Sequence, residues 1–266
     1  MNTLETNVTN SIGTITLNRP EALNALNAVM MSELREATSA FEHDPAVRAV
    51  VVNAKGPHFM AGGDLKFFAE TLSKVADSRE RRNLFEGFVG QLHPVMTSLR
   101  RMPKPVIAAV KGAVAGFGMS LMMASDLAVA ADDAYFTLAY VNIGTSPDGS
   151  STYVLPRLVG LKRAMEIALL ADRFDATRAY TIGLVNRVVP VAELEANVAA
   201  LAERLAKGPT LAYAKTKTLL NQSLESEFNA QLQAEAEAFA ACAASGDFER
   251  GIEAFTSKKQ PEFFGS

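Results

Sequence analysis

In Val106-Ile107-Ala108-Ala109-Val110-Lys111-Gly112-Ala113-Val114-Ala115-Gly116-Phe117-Gly118-Met119-Ser120-Leu121 an apolar run gives way to glycines and then to a second apolar run. Val106 to Val110 has the length and β-branched content of a buried strand, and the glycines mark a turn rather than a continuing element. Gly118 to Ser125 then reads as a short apolar helix, with Leu127 to Ala130 as the next strand. Strand, glycine-rich turn, helix and strand in succession imply an α/β fold with parallel pairing. Lys111, Gly112, Gly116, Gly118 and Asp126 interrupt the apolar stretch, which therefore reads as buried core and not as a membrane span.

The same alternation extends toward the N-terminus. Leu4 to Thr9 and Ile12 to Leu17 read as a hairpin, followed by turn chemistry at Asn18-Arg19-Pro20. Behind Asn27, a natural N-cap, Met30, Met31, Leu34, Ala37 and Phe41 recur at helical spacing up to Pro45. Val47 to Val52 reads as a strand and Arg81 to Arg101 as one helix. From about Val191 the β-branched signal ends, and helices are expected over Val191 to Ala206, Pro209 to Ser223 and Glu225 to Ala244. The chain thus divides into an α/β core over 1–190 and a helical region over 191–266. In the last of these helices Phe228, Leu232, Phe239 and Ala243 form a stripe, expected to pack on the chain's own core, with another subunit as the alternative.

Composition narrows the function classes. The 266 residues carry 26 basic and 29 acidic side chains, a net charge of −3, so the basic excess of a nucleic-acid surface is missing. The single cysteine excludes a disulfide framework and a cysteine-rich metal site. The three histidines, His43, His58 and His93, lack metal-ligand spacing, so no metal is expected. Met1 to Asn10 has no basic, apolar signal pattern, which points to a cytoplasmic protein without membrane attachment.

Three segments are candidates for chemistry. Phe59-Met60-Ala61-Gly62-Gly63-Asp64-Leu65 follows a strand and precedes a helix. Its glycines allow close backbone approach to an anion or oxyanion, while an ordinary turn capped by Asp64 is the structural alternative. Lys111 to Leu121 lacks the third glycine of a dinucleotide fingerprint, and Met122 stands where a nucleophile elbow around Ser120 needs glycine. Gly144-Thr145-Ser146-Pro147-Asp148-Gly149-Ser150-Ser151-Thr152-Tyr153 places Asp148 between proline and glycine, as an active acid or as a turn residue.

These segments, in this order, resemble the crotonase superfamily of enoyl-CoA hydratases and isomerases. The resemblance runs from Arg19-Pro20-Glu21-Ala22-Leu23-Asn24-Ala25-Leu26, through both glycine turns and Leu155-Pro156-Arg157-Leu158-Val159-Gly160, to Ala179-Tyr180-Thr181-Ile182-Gly183-Leu184-Val185-Asn186-Arg187-Val188-Val189. It implies a spiral of ββα units, a C-terminal helical region used in trimerisation, and a homotrimer or a hexamer of paired trimers. The implied substrate is an acyl-coenzyme A thioester, with no cofactor beyond the CoA it carries. By the same resemblance, the backbone N–H groups of Gly63 and Phe117 form the oxyanion hole. Ala22, Leu23, Ala25, Ala61, Asp64 and Leu65 hold the CoA moiety, Tyr140 lines the substrate site, and Lys258 meets the CoA phosphates. Phe117 stands where the family usually has glycine, so its ring is expected to narrow the acyl pocket.

Hydratases of this family use two glutamates, and the matching positions here are Ser120 and Tyr140. Asp148 stands where isomerase branches carry Glu or Asp, and the resemblance implies that it moves a proton from C2 to C4 of a 3-enoyl-CoA. An acid beside an apolar acyl chain is expected to have a raised pKa. Alternatives are a residual hydratase, a dehalogenase-like enzyme with Asp148 as nucleophile, and an acyl-CoA binder without turnover. The dehalogenase branch uses a histidine base, and here that position is Thr97, with His93 one turn earlier.

Overall fold

The computed structural model describes residues 1–265. The N-terminal hairpin is β1 (Leu4–Thr9) and β2 (Ile12–Leu17), followed by α1 (Ala28–His43) and β3 (Ala49–Ala54). Three helices come next: α2 (Leu65–Lys74), α3 (Ser78–Gly90) and α4 (His93–Arg101). Then β4 (Val106–Val110), β5 (Ala113–Ala115) and α5 (Phe117–Met123) form one ββα turn, and β6 (Leu127–Ala131), β7 (Tyr135–Thr137) and α6 (Ser151–Val159) form the next. The chain continues through α7 (Leu161–Leu170), β8 (Phe174–Asp175), α8 (Ala176–Thr181) and β9 (Arg187–Val189), and closes with α9 (Leu194–Ala206), α10 (Thr210–Ser223), α11 (Phe228–Ala243) and α12 (Gly246–Thr256).

The first strand of each ββα unit joins a large sheet of order β1-β2-β3-β4-β6-β9, parallel apart from the β1–β2 hairpin. The second joins a small sheet of order β5-β7-β8. This division of successive strands between two sheets is the spiral. Alternation along β3 and β4 sends Val50, Val52, Val106, Ala108 and Val110 into the main core, and Val51, Ile107 and Ala109 to the opposite face. α9 covers that face with Leu194, Val198, Leu201 and Ala202. α10 is tied to the end of α4, where Lys217 Nζ donates to Leu99 O at 2.8 Å and Asn221 Nδ2 donates to Arg100 O at 3.0 Å.

Four elements differ from the sequence expectation. The helix expected over Arg81 to Arg101 is two, because Pro94 supplies no N–H and its ring conflicts with the carbonyl four residues back, at Gly90, where α3 ends. β3 pairs from Ala49 and not from Val47, which is buried but donates its N–H to Asp44 O at 3.1 Å in a turn. The Phe228, Leu232 and Phe239 stripe does not pack on the chain's own core: these side chains are 74%, 47% and 69% exposed. A further helix, α12, follows the three expected after Val191, and Ser245 caps it by accepting from Phe248 N.

Candidate active site

Two glycine turns meet backbone to backbone. Gly62 has φ 102° and Gly116 φ 50°, both in the region that disfavours a side chain. A Cβ on Gly62 would lie 3.3 Å from Ala115 O, and one on Gly116 would lie 3.4 Å from Gly62 Cα. Short bridges hold this approach: Met60 N donates to Ala113 O at 3.0 Å and Ala115 N to Met60 O at 2.8 Å. On the other side, Leu26 N donates to Gly62 O at 2.8 Å and Asp64 N to Leu26 O at 2.9 Å. Among the described residues, this pattern leaves the N–H groups of Gly63 and Phe117 without a protein acceptor. Phe117 opens α5, so its N–H is one of those that a helix start cannot satisfy internally.

The Phe117 ring is 2% exposed and packs beneath the loop that carries Asp148. A Cβ on Gly149 would lie 2.8 Å from that ring and 2.8 Å from Ser120 Cβ. The Asp148 carbonyl accepts from Ser120 Oγ at 3.1 Å and from Ser151 Oγ at 2.8 Å. Its carboxylate accepts from the Tyr140 hydroxyl at 2.5 Å. The positions matched to the two hydratase glutamates therefore both hold Asp148, one by its backbone and one by its side chain. Burial pushes the Asp148 carboxyl above its ordinary value, and the Tyr140 hydrogen bond only partly offsets this. Burial, and then the adjacent carboxylate, raises the Tyr140 phenol as well. Ser120 is fully buried and its hydroxyl donates to the Asp148 carbonyl, and among the described residues no base is hydrogen-bonded to it as a nucleophile requires.

The segment expected at the CoA moiety assembles beside Gly63. Ala61 N donates to Leu23 O at 3.1 Å, and Leu23 and Asn24 both adopt φ 53° to turn the chain after Pro20–Ala22. Arg19 donates to Ala25 O at 2.5 Å and to Asp64 Oδ2 at 3.0 Å. Asn24, fully buried, donates to Lys55 O at 3.0 Å and to His58 O at 2.8 Å. The Asp64 side chain also caps α2 by accepting from Lys66 N and Phe67 N. Burial disfavours its ionisation, but Arg19 and those amides outweigh burial and hold the carboxyl below its usual range. Asp64 is thus a structural tie in this arrangement, and Leu65 is exposed. The roles of Arg19 and Asn24 escape sequence reasoning, since contacts this distant along the chain leave no local pattern. Lys258 lies in the exposed turn after α12, and no hydrogen bond or ion pair among the described residues joins it to this cluster.

An aromatic wall stands on the far side of Gly63, where Phe68 Cζ would be 2.8 Å from an added Cβ. Phe68 meets Phe85 and Phe88 edge to face at 5.5 Å and 5.8 Å. His58 is structural, its Nδ1 accepting from Ala113 N at 3.0 Å. His93 and Thr97 are exposed on α4.

Comparison with known proteins identifies the family. A sequence model described as enoyl-CoA hydratase/isomerase matches residues 7–266. A protein of Rhodobacter capsulatus named "Probable enoyl-CoA hydratase" is 37% identical over 99% of this chain and 98% of its own length. The 1,2-epoxyphenylacetyl-CoA isomerase of Escherichia coli is 33% identical over 97% of both chains. The crystal structure of a Mycobacterium abscessus protein named "putative Enoyl-CoA hydratase/isomerase" superposes with a TM-score of 0.93, at 36% identity over 99% of this chain and 100% of that one. Fold, turns and whole-length similarity agree, and the chain belongs to the enoyl-CoA hydratase/isomerase family, the crotonase superfamily.

Proposed function

We propose that this family member is a Δ3,Δ2-enoyl-CoA isomerase with Asp148 as its acid/base. Asp148 takes the proton from C2 of a 3-enoyl-CoA. The thioester oxygen of the resulting dienolate accepts from Gly63 N–H and Phe117 N–H, and Asp148 returns the proton at C4. Loss of one such donor typically costs about 3 kcal/mol of transition-state stabilisation. The observation that carries the reading is a lone carboxylate with a raised pKa, on a loop packed against the turn that bears one of two unpartnered amides. A raised pKa makes a carboxyl a stronger base, better able to take the proton that it later returns. Two relatives bear isomerase names, that of E. coli and a trans-2-decenoyl-[acyl-carrier-protein] isomerase of Streptococcus mutans, 31% identical over 97% of both chains.

The relative from Rhodobacter favours hydratase as the second reading. Water addition needs an acid/base pair on the water, and Ser120 and Tyr140 supply no second carboxylate. The dehalogenase reading lacks a base, since Thr97 cannot act as one. No redox cofactor or metal enters the proposed reaction, and the enzyme works as a cytoplasmic homotrimer or hexamer. The test is the rise in ultraviolet absorbance of a conjugated 2-enoyl thioester when purified protein meets 3-enoyl-CoA. Asp148→Asn is expected to lower kcat by about 10²–10⁴-fold. Absence of conjugation with short, long and aryl-substituted substrates would reject the isomerase and leave the hydratase and a binder without turnover to be tested.

A further inference from the structure

The hydroxyl of Tyr140 is in an unusual place for a substrate-binding group. Tyr140 begins the 3-10 turn Tyr140–Ile143, with Ala139 before it at φ 53° and Gly144 after it at φ 72°. Its N–H donates to Leu138 O at 2.7 Å and its carbonyl accepts from Thr145 N at 3.2 Å, so both ends of the residue are fixed by backbone. The ring packs on the main core, and the hydroxyl meets Asp148 Oδ1 at 2.5 Å. Ser120 holds the Asp148 carbonyl from the other side, its Oγ donating at 3.1 Å. Asp148 Oδ2 is left without a protein partner among the described residues.

We propose that Tyr140 is a positioning residue for Asp148: its hydroxyl fixes Oδ1, so that Oδ2 is the oxygen that exchanges protons with the substrate. The proposal rests on the assignment of Asp148 as acid/base and deepens it. An aspartate has a shorter reach than a glutamate, and a rigid carboxylate with one committed oxygen confines the free oxygen to a small arc. A hydrogen bond to an ionised acceptor is among the stronger ones and favours the carboxylate over the acid. It therefore opposes the burial that raises the Asp148 carboxyl. Among the described residues, no other titratable group acts on this carboxylate. α5 brings Phe117 and Ser120, α6 begins with Ser151, and α7, which packs on the 140–143 turn, exposes Lys162, Arg163 and Glu166 to solvent.

Tyr140→Phe keeps the ring in the core and removes only the hydroxyl. The acid limb of the kcat/KM pH profile for isomerisation is expected to move up by about one unit, an order of magnitude in the ionisation constant. At the plateau kcat is expected to fall about tenfold with little change in KM, since the substrate loses no contact of its own. A second readout needs no turnover: the carboxyl ¹³C resonance of Asp148, identified by its disappearance in Asp148→Asn, titrated in the parent and in Tyr140→Phe. Its midpoint is expected to rise in the variant. An unchanged midpoint in Tyr140→Phe would overturn the proposal, even if activity fell, because a structural role alone lowers rate without moving this titration. If the parent fails to isomerise 3-enoyl-CoA, the functional reading falls separately, while the carboxyl titration still decides what Tyr140 does to Asp148.

Discussion

At residue 149 a methyl group has nowhere to go. Gly149 has φ 56°, and a Cβ there would press on the Phe117 ring from one side and Ser120 Cβ from the other. Strain and overpacking together are expected to cost about 2–4 kcal/mol in Gly149→Ala. The neighbouring Asp148 is displaced with it, and a misplacement of about 1 Å is enough to lower kcat about a hundredfold. Urea unfolding and the conjugation assay read the two effects separately; normal kcat in a destabilised protein would show that Asp148 is not anchored through Gly149. Residue identity explains how much of this site is readable in sequence. Gly63, Phe117 and Asp148 lie in short runs whose glycines and proline mark turns in the sequence, and the resemblance to the crotonase superfamily singles out these residues within them. The Tyr140–Asp148 contact needs the intervening turn to close, and the Arg19–Asp64 pair spans 45 positions. Neither leaves a local signature.

Among the elements, α1 holds the start of the chain through one buried side chain. Glu33, 8% exposed, accepts from Asn2 N at 2.5 Å, Thr3 Oγ1 at 2.6 Å, Thr3 N at 2.8 Å and Leu4 N at 3.1 Å. Burial works to raise its pKa, but the Thr3 hydroxyl and these amides outweigh burial and hold the carboxyl below its ordinary 4.5. A depressed folded-state pKa means stabilisation that is full above the unfolded value and lost as pH falls through the folded one. Glu33→Gln presents an NH2 group to backbone donors and is expected to cost about 2 kcal/mol at neutral pH. The gap in urea stability between parent and variant should narrow as pH drops below 4.5, and a constant gap would exclude ionisation of Glu33 as its source. Elements of this kind are legible where caps and periodicity agree, as in α1 behind Asn27, whose side chain accepts from Met30 N. They are not where helical spacing continues through a break. The apolar pattern of Arg81 to Arg101 survives the break between Gly90 and His93, and only the missing N–H of Pro94 reveals it.

For the whole molecule, periodicity identifies an apolar face without saying what covers it. The stripe on α11 satisfies helical spacing as a core-facing stripe would, yet Phe228 and Phe239 are exposed, together with Leu220 and Leu224 at the end of α10 and Phe255 of α12. α12 packs on α11, and Phe239 meets Phe248 at 6.2 Å, so these side chains lie on connected helices. Apolar surface on this scale is costly in water and is normally covered by a partner. The proposed homotrimer or hexamer supplies that cover, so light scattering should report three or six times the 28.5 kDa of one chain. Phe239→Asp combined with Phe255→Asp is expected to shift the mass toward a single chain, because an assembled interface would have to bury two unpaired carboxylates. Retained far-ultraviolet circular dichroism in the variant would show that each chain keeps its secondary structure when separated. A parent protein that scatters as 28.5 kDa at micromolar concentration would refute self-association through these helices. Such a result would also separate the questions of fold and assembly, since the two glycine turns and Asp148 are all built from elements of one chain.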